Sequence, residues 1–141
     1  MAGLNRCQAA LRLFGDDLVP DELSGVFGHR PTKGWVKGDE HLSSSGALIV
    51  KKTGAWILEA EATESADFNR QVSRVLACVD VGLVVWAALA TRFEIDLFCG
   101  WFMQESNEGV DISPKTMRML GERHIGLTVD IYAAPEDGAS G

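Results

Sequence analysis

The stretch LRLFGDDLVPDELSGVFG, residues 11–28, decides the fold. Within 9–14, Leu11 and Leu13 alternate with Ala10, Arg12 and Phe14, the period of a strand covered on one side. Gly15, Asp16 and Asp17 end that strand. Pro20 then suits the first position of a helix, because its missing N–H has no intrahelical acceptor there, and Asp21 and Glu22 complement the positive end of the helix dipole. Leu23, Val26 and Phe27 give the helix an apolar face, and Gly28 can end it. The same layout returns in IDLFCGWFMQESNEGVDISPKTMRMLG, residues 95–121. Here a strand carries Ile95, Leu97, Cys99 and Trp101 on one face and Asp96, Phe98, Gly100 and Phe102 on the other. Apolar residues on both faces indicate a central strand. A polar turn at 104–111 follows, Ser113 caps a helix begun by Pro114, Met117 and Leu120 point inward, and Gly121 lies past the end. Each unit buries its apolar face only against the other or against a partner, so two loosely repeated halves are expected.

Outward from these units, Phe68, Val72, Val75, Leu76 and Val79 recur at a period of about 3.6 residues, with Arg70, Gln71 and Arg74 between them, which predicts a long helix over 65–80. The apolar run 81–90 reads as a further helix after a break near Gly82, with an extended segment over 83–86 as the alternative. Residues 29–45 form the longest irregular segment, with a short strand through 35–37 and a flexible Ser-rich tip at 43–46. Runs 47–51 and 55–60, separated by Lys52, Thr53 and Gly54, predict a hairpin in which Trp56 and Leu58 share a face. Leu127, Val129 and Ile131 alternate with Thr128, Asp130 and Tyr132 in a last strand. The expected fold is α+β with ferredoxin-like character: a mostly antiparallel sheet of five or six strands with helices packed mainly on one face. It forms a single domain over 1–141, with an ordered core at 8–133 and a mobile tail at 134–141.

Composition bounds the function. The chain has 141 residues, of which 46% are hydrophobic and 23% charged, enough to fold around a real core. A net charge of −7 opposes extended binding to phosphates or to an anionic membrane, so no nucleic-acid and no membrane partner is expected. Cys7, Cys78 and Cys99 are odd in number and widely spaced, without a C-x-x-C, which argues against a disulfide framework or a zinc ribbon and for a reducing cytoplasm. Residues 1–8 lack the apolar region of an export signal, and the run 81–90 is about half of the ~20 residues that cross a bilayer.

The segments LRLFGDDLVPDEL, GHRPT, WVKGD, GAWIL, IDLFCGWF and ISPKTMRMLGERHIGLTVDIY occur in this order over residues 11–132. In that combination the chain resembles the bacterial domain-of-unknown-function family 4279. The resemblance implies a small α+β domain that commonly stands alone; it implies no assigned activity and no site residues.

No phosphate-binding loop is present: five residues separate Gly28 from Gly34, which Trp35 follows, and G-x-G-x-x-G is missing. His29, His41 and His124 lack metal-site spacing, and His29 and His124 fall beyond helix C-termini, where an imidazolium complements the dipole. No metal or cofactor is expected. No nucleophile elbow accompanies the serines; Cys78, on a helix's inner face, and Cys99, in a central strand, read as small packed hydrophobes.

Two constellations stand out. Arg12, Asp96 and Asp130, with Thr128 and Tyr132, share the non-core parity of three strands; they form either a polar ligand face or a cross-strand salt bridge. Trp35, Lys37 and Asp39 lie in the long loop, near Asp16 and Asp17 if it folds back over the first turn, where Trp35 serves recognition or lids the core. The expected function is a non-enzymatic binding or protein-interaction module that uses these two surfaces, as a homodimer or with a protein or small-molecule partner. The competing expectation is a small enzyme, such as a hydrolase, with Asp96 or Asp130 as base in a pocket roofed by Trp35. Neutralisation of a partner protein, as bacterial immunity proteins do, is a third reading by analogy.

Overall fold

The computed structural model describes residues 6–61, 67–105 and 107–133; the expected tail at 134–141 lies outside the described residues. The chain runs β1 (Arg6–Gly15), α1 (Pro20–Phe27), β2 (Lys33–Trp35), β3 (Glu40–Leu42), β4 (Leu48–Val50), β5 (Gly54–Glu59), α2 (Phe68–Cys78), α3 (Leu83–Ala90), β6 (Glu94–Phe102), α4 (Pro114–Glu122) and β7 (Gly126–Tyr132). Five strands form one sheet in the order β2-β5-β1-β6-β7, and β3 with β4 forms a separate ribbon.

β1 lies at the centre, antiparallel to β5 through Leu11↔Leu58 and Leu13↔Trp56 and to β6 through Leu11↔Leu97 and Leu13↔Ile95. Its alternation is as read from the sequence: Ala9, Leu11 and Leu13 are fully buried, while Gln8, Arg12 and Phe14 opposite are half-buried. The helices cover the Leu11 and Leu13 side, where Leu23 of α1, Val72 of α2, Trp86 of α3 and Leu120 of α4 join one core. Phe27 packs its ring 4.9 Å from Trp56 and 5.2 Å from Trp86. Burial of side chains of this size, at about 1.5–3 kcal/mol each, is what holds the helix layer to the sheet.

β6 and β7 are joined through α4 and run parallel, from Asp96↔Gly126 to Phe102↔Tyr132. The expected mostly antiparallel, ferredoxin-like sheet is thus a mixed one; what holds is an α+β chain with five strands in the sheet and four helices among the described residues. The cause is the connection, since a helix between two neighbouring strands returns the chain to its starting end. The two expected halves also close differently. β1 and α1 lead to β2, which is separated from β1 by β5, whereas β6 and α4 lead to the adjacent β7.

Other local expectations are corrected. The hairpin is not 47–51 with 55–60: β4 pairs with β3, closing over Ser43 and Gly46, and β5 enters the main sheet. Burial decides this, because Trp56 and Leu58 of β5 are buried while every residue of β4 is exposed. The segment expected to be irregular therefore contains two strands, and the strand near Trp35 ends there instead of beginning there. At the close of the β1 turn, a Cβ on Gly54 would lie 2.6 Å from the Leu18 carbonyl oxygen, so the crossing needs glycine. α1 ends at Gly28 in the left-handed conformation, as expected. α4 runs through Gly121 to Glu122, and His124, not a glycine, takes the positive φ of 59° beyond it. α3 is helical as expected, at 94° to α2; among the described residues no single helix is long and apolar enough to cross a membrane.

Candidate binding face of the sheet

Because the helices lie on one side, the other face of the sheet has no covering layer among the described residues. Register places Phe14, Arg12 and Ala10 of β1, Lys33 and Trp35 of β2, Ala55, Ile57 and Glu59 of β5, and Asp96, Phe98, Gly100 and Phe102 of β6 on that face, with Thr128, Asp130 and Tyr132 of β7. The Arg12, Asp96 and Asp130 surface expected from the sequence thus lies on this face, and of the second surface Trp35 joins it. Five aromatic side chains, Phe14, Trp35, Phe98, Phe102 and Tyr132, are partly or largely accessible there, more than a merely solvated face calls for.

At its centre Arg12 and Asp96 form a bidentate pair, Nε donating to Oδ1 at 2.8 Å and Nη2 to Oδ2 at 2.7 Å. The Thr128 hydroxyl donates a further bond to Asp96 Oδ2 at 2.8 Å. The guanidinium carbon lies 4.4 Å from the Phe98 ring centroid and 5.1 Å from that of Phe14, so the cation is held between two rings as well as by the carboxylate. Asp130 does not join this pair. It stands opposite Gly100, four residues along β7 from the Gly126 that faces Asp96, about 13 Å at the rise of a strand. Its carboxylate accepts from the Tyr132 hydroxyl at 3.4 Å.

Trp35 lies at the opposite edge of the sheet from Asp130. Its Nε1 donates to the Thr53 carbonyl at 3.0 Å, and Lys51 Nζ sits 3.8 Å over its ring. It stands at the edge strand β2, away from Asp96 and Asp130, and lines a separate hollow with Asp39 and Glu40. The loop does fold back over the first turn: Lys37 Nζ meets Asp16 Oδ2 at 3.1 Å, and Asp39 accepts from the Val36 N–H at 3.0 Å. The Lys37 bond, helped by Thr53, lowers the Asp16 pKa below the usual aspartate value. The converging pair of carboxylates that acid/base chemistry needs is not formed by Asp96 and Asp130.

Between these features lies a hollow of about 270 Å³. Ala10 and Gly100 are among the residues beneath it, Phe98 and Arg12 stand on one side, and Phe102 with Tyr132 on the other. The last two rings are stacked 4.7 Å apart and 6° from parallel. A Cβ on Gly100 would come within 3.3 Å of the Phe102 ring and 3.5 Å of Tyr132, so the glycine makes room for the stack to lean across the strand. Lys33 and Glu59 close the far side, 3.3 Å apart. Phe98, Phe102 and Gly100 were not singled out from the sequence, although their shared parity with Asp96 was readable.

On the helix side, Cys7 and Cys99 are buried, and Trp101 Nε1 donates to Cys99 Sγ at 3.1 Å. A hydrogen bond from Cys99 lowers the Cys7 pKa; the same contact, reinforced by burial, raises that of Cys99. Cys78 corrects the sequence reading, because it is exposed at the end of α2 and not packed inward. With His29, Glu59 and Arg74 it lines a second hollow of about 430 Å³. His29 Nδ1 is engaged by the Arg30 carbonyl at 2.7 Å, and among the described residues no hydrogen bond joins the thiol to the imidazole. No group of three or more His, Cys, Asp or Glu side chains among the described residues could hold a metal ion.

What these features define is a small α+β protein with one covered and one open sheet face. A family model described as Domain of unknown function (DUF4279) matches residues 5–134, and the chain belongs to that family. No curated protein and no solved structure matches it.

Proposed function

We propose that the chain is a non-enzymatic binding module and that the open sheet face is its recognition surface. The observation that carries this reading is the concentration of accessible aromatic rings around an ion pair whose charges cancel, on the one face that no helix covers. A hydrolase reading is disfavoured by the separation of Asp96 from Asp130. The interleaved order β2-β5-β1-β6, with α1 and then α2 and α3 in the two crossovers, supports a ferredoxin-like core to which α4 and β7 are appended. Three free thiols, two of them buried, support a reducing compartment such as the cytoplasm.

The test is a fragment screen on the isotope-labelled protein by two-dimensional amide NMR. Responses clustering on β1, β6 and β7 support the reading, whereas responses confined to the hollow around His29 and Cys78 overturn it. A second reading, self-association, is favoured by β7, an edge strand with Leu127, Ile131 and Tyr132 exposed. Antiparallel pairing about Val129 would set Leu127 against Ile131 and Tyr132 against Gly126 of a second copy, and would keep the two Asp130 carboxylates apart. Sedimentation equilibrium at high micromolar concentration tests it: a monomer defeats it, and a dimer abolished by Ile131→Lys supports it.

A further inference from the structure

We infer that the 270 Å³ hollow on the open face binds an uncharged, planar aromatic small molecule. The inference rests on the binding-module reading and goes further by naming the ligand's chemistry. Size is the first argument, since the volume is just below the ~300–1,000 Å³ of ordinary ligand pockets and suits one ring system, not a whole nucleotide. Shape is the second. Ala10 and Gly100, which carry little or no side chain, line the hollow with Gln8 and Ile57, and two of its sides are aromatic: Phe98 backed by Arg12, and the Phe102 and Tyr132 stack, which leans over Gly100. A flat ring placed there would meet ring faces and edges at the offset geometries that aromatic pairs favour.

Charge is the third argument and excludes ionic ligands. Arg12, the cation nearest the aromatic side, is engaged twice by Asp96, and Lys33 is paired with Glu59 at 3.3 Å. An anion would have to displace a carboxylate already in place and approach a chain of net charge −7. Within the lining a cation would have to displace Arg12 or Lys33; Asp130, exposed on the same face, is not among the residues that line the hollow. A neutral ring displaces only water.

The experiment titrates indole into the labelled full chain and follows the amides of Ala10, Gly100 and Tyr132, with indole-3-acetate, tryptamine and cyclohexanol as comparators. Saturable shifts on these amides with indole, and affinity at least about tenfold weaker for each comparator, are expected. Gly100→Val, which adds bulk to the lining, and Tyr132→Ala, which removes an exposed part of one side, should each weaken indole about tenfold or more; the second guards against misfolding of the first. Met117→Ala, on the helix side, should leave binding unchanged. If comparators bind the open face as well as indole does, or indole shifts other surfaces while other fragments still occupy this face, the ligand class is wrong and the binding-face reading stands. If no compound perturbs the open face, both fall.

Discussion

Replacing Gln71 with Leu should remove more stability than any other single polar change in the helix layer. Gln71 is 3% exposed on α2, with its Oε1 accepting from the Ala9 N–H at 2.9 Å and its Nε2 donating to the Cys7 carbonyl at 2.7 Å. The position explains both bonds. Pairing of β5 with β1 stops at Ala10↔Glu59, with one more bond from the Ala60 N–H to the Ala9 carbonyl. Beyond that point the edge of β1 turned away from β6 has no neighbouring strand among the described residues, and the Gln71 amide supplies the donor and acceptor that a strand would have supplied. Leucine leaves a buried N–H and a buried C=O unpaired, at about 1–3 kcal/mol each. Its added apolar contact offsets part of this, so a net loss of about 3 kcal/mol is expected, or roughly 10 °C in melting temperature for a chain of this size. In urea unfolding the midpoint should fall with an unchanged slope.

Gln71→Glu separates this cause from a packing defect. A buried glutamate would have its folded pKa raised above the ordinary ~4.3. Its contribution is therefore fully present below that value and is lost as pH rises through the folded pKa. Protonated, the acid can both accept from Ala9 and donate to Cys7; ionised, it can only accept. The Glu variant should approach the wild type near pH 4 and fall away towards pH 7, while the deficit of Gln71→Leu stays level. A Leu variant within about 0.5 kcal/mol of wild type, or a Glu variant with a pH-independent deficit, would refute the reasoning.

An aromatic disulfide reagent should titrate one thiol, Cys78, quickly in the native protein and all three cysteines only after denaturation; rapid reaction of more than one would contradict the burial of Cys7 and Cys99. Asp16 should titrate below the ordinary aspartate value by carboxyl-carbon NMR and move upward in Lys37→Met or in high salt. Its small stabilising effect, lying at the surface, is present above about pH 4 and fades as pH falls through the lowered folded pKa. Trp86 and Trp56 are both fully buried; the Trp56 indole N–H donates to the Ser24 hydroxyl at 3.2 Å, whereas among the described residues Trp86 Nε1 has no partner. Thermal unfolding should show Trp56→Phe to be the costlier change by about 1 kcal/mol.

The parts of this fold that could be read in the sequence are those set by a single period. Alternation in β1 and β6 assigned Arg12 and Asp96 to one face, and two adjacent strands then brought them together. Asp130 shares that parity, but its distance from Asp96 depends on the offset between β6 and β7, which no alternation encodes. Runs 47–51 and 55–60, punctuated by Thr53 and Gly54, have the look of a hairpin; the burial of Trp56 and Leu58 in the main sheet overrides that local signal. Gln71 lies three residues after Phe68 and four before Val75, on the flank of the apolar stripe. Whether such a residue faces water or core depends on where β5 leaves β1, and that is a tertiary fact. Cys78 shows the converse, an apolar-looking residue at a helix end that is exposed beside the end of β5.

As proposed, the open face binds rather than reacts, and the Arg12 and Asp96 pair supports that reading. Both carboxylate oxygens are committed to the guanidinium, and one also accepts from Thr128, so taking a proton from a substrate would mean giving up charge-assisted bonds of about 1.5–3 kcal/mol. The same bonds fix the guanidinium against the Phe98 ring, which lines the hollow with Ala10 and Gly100. With its charge cancelled and its neighbouring ring fixed, the centre of the sheet presents shape and ring surface, not an electric field. Selectivity in the hollow then comes from the fit of a flat body between Phe98 and the Phe102 and Tyr132 stack, because the charges that line it, Arg12, Lys33 and Glu59, are each paired.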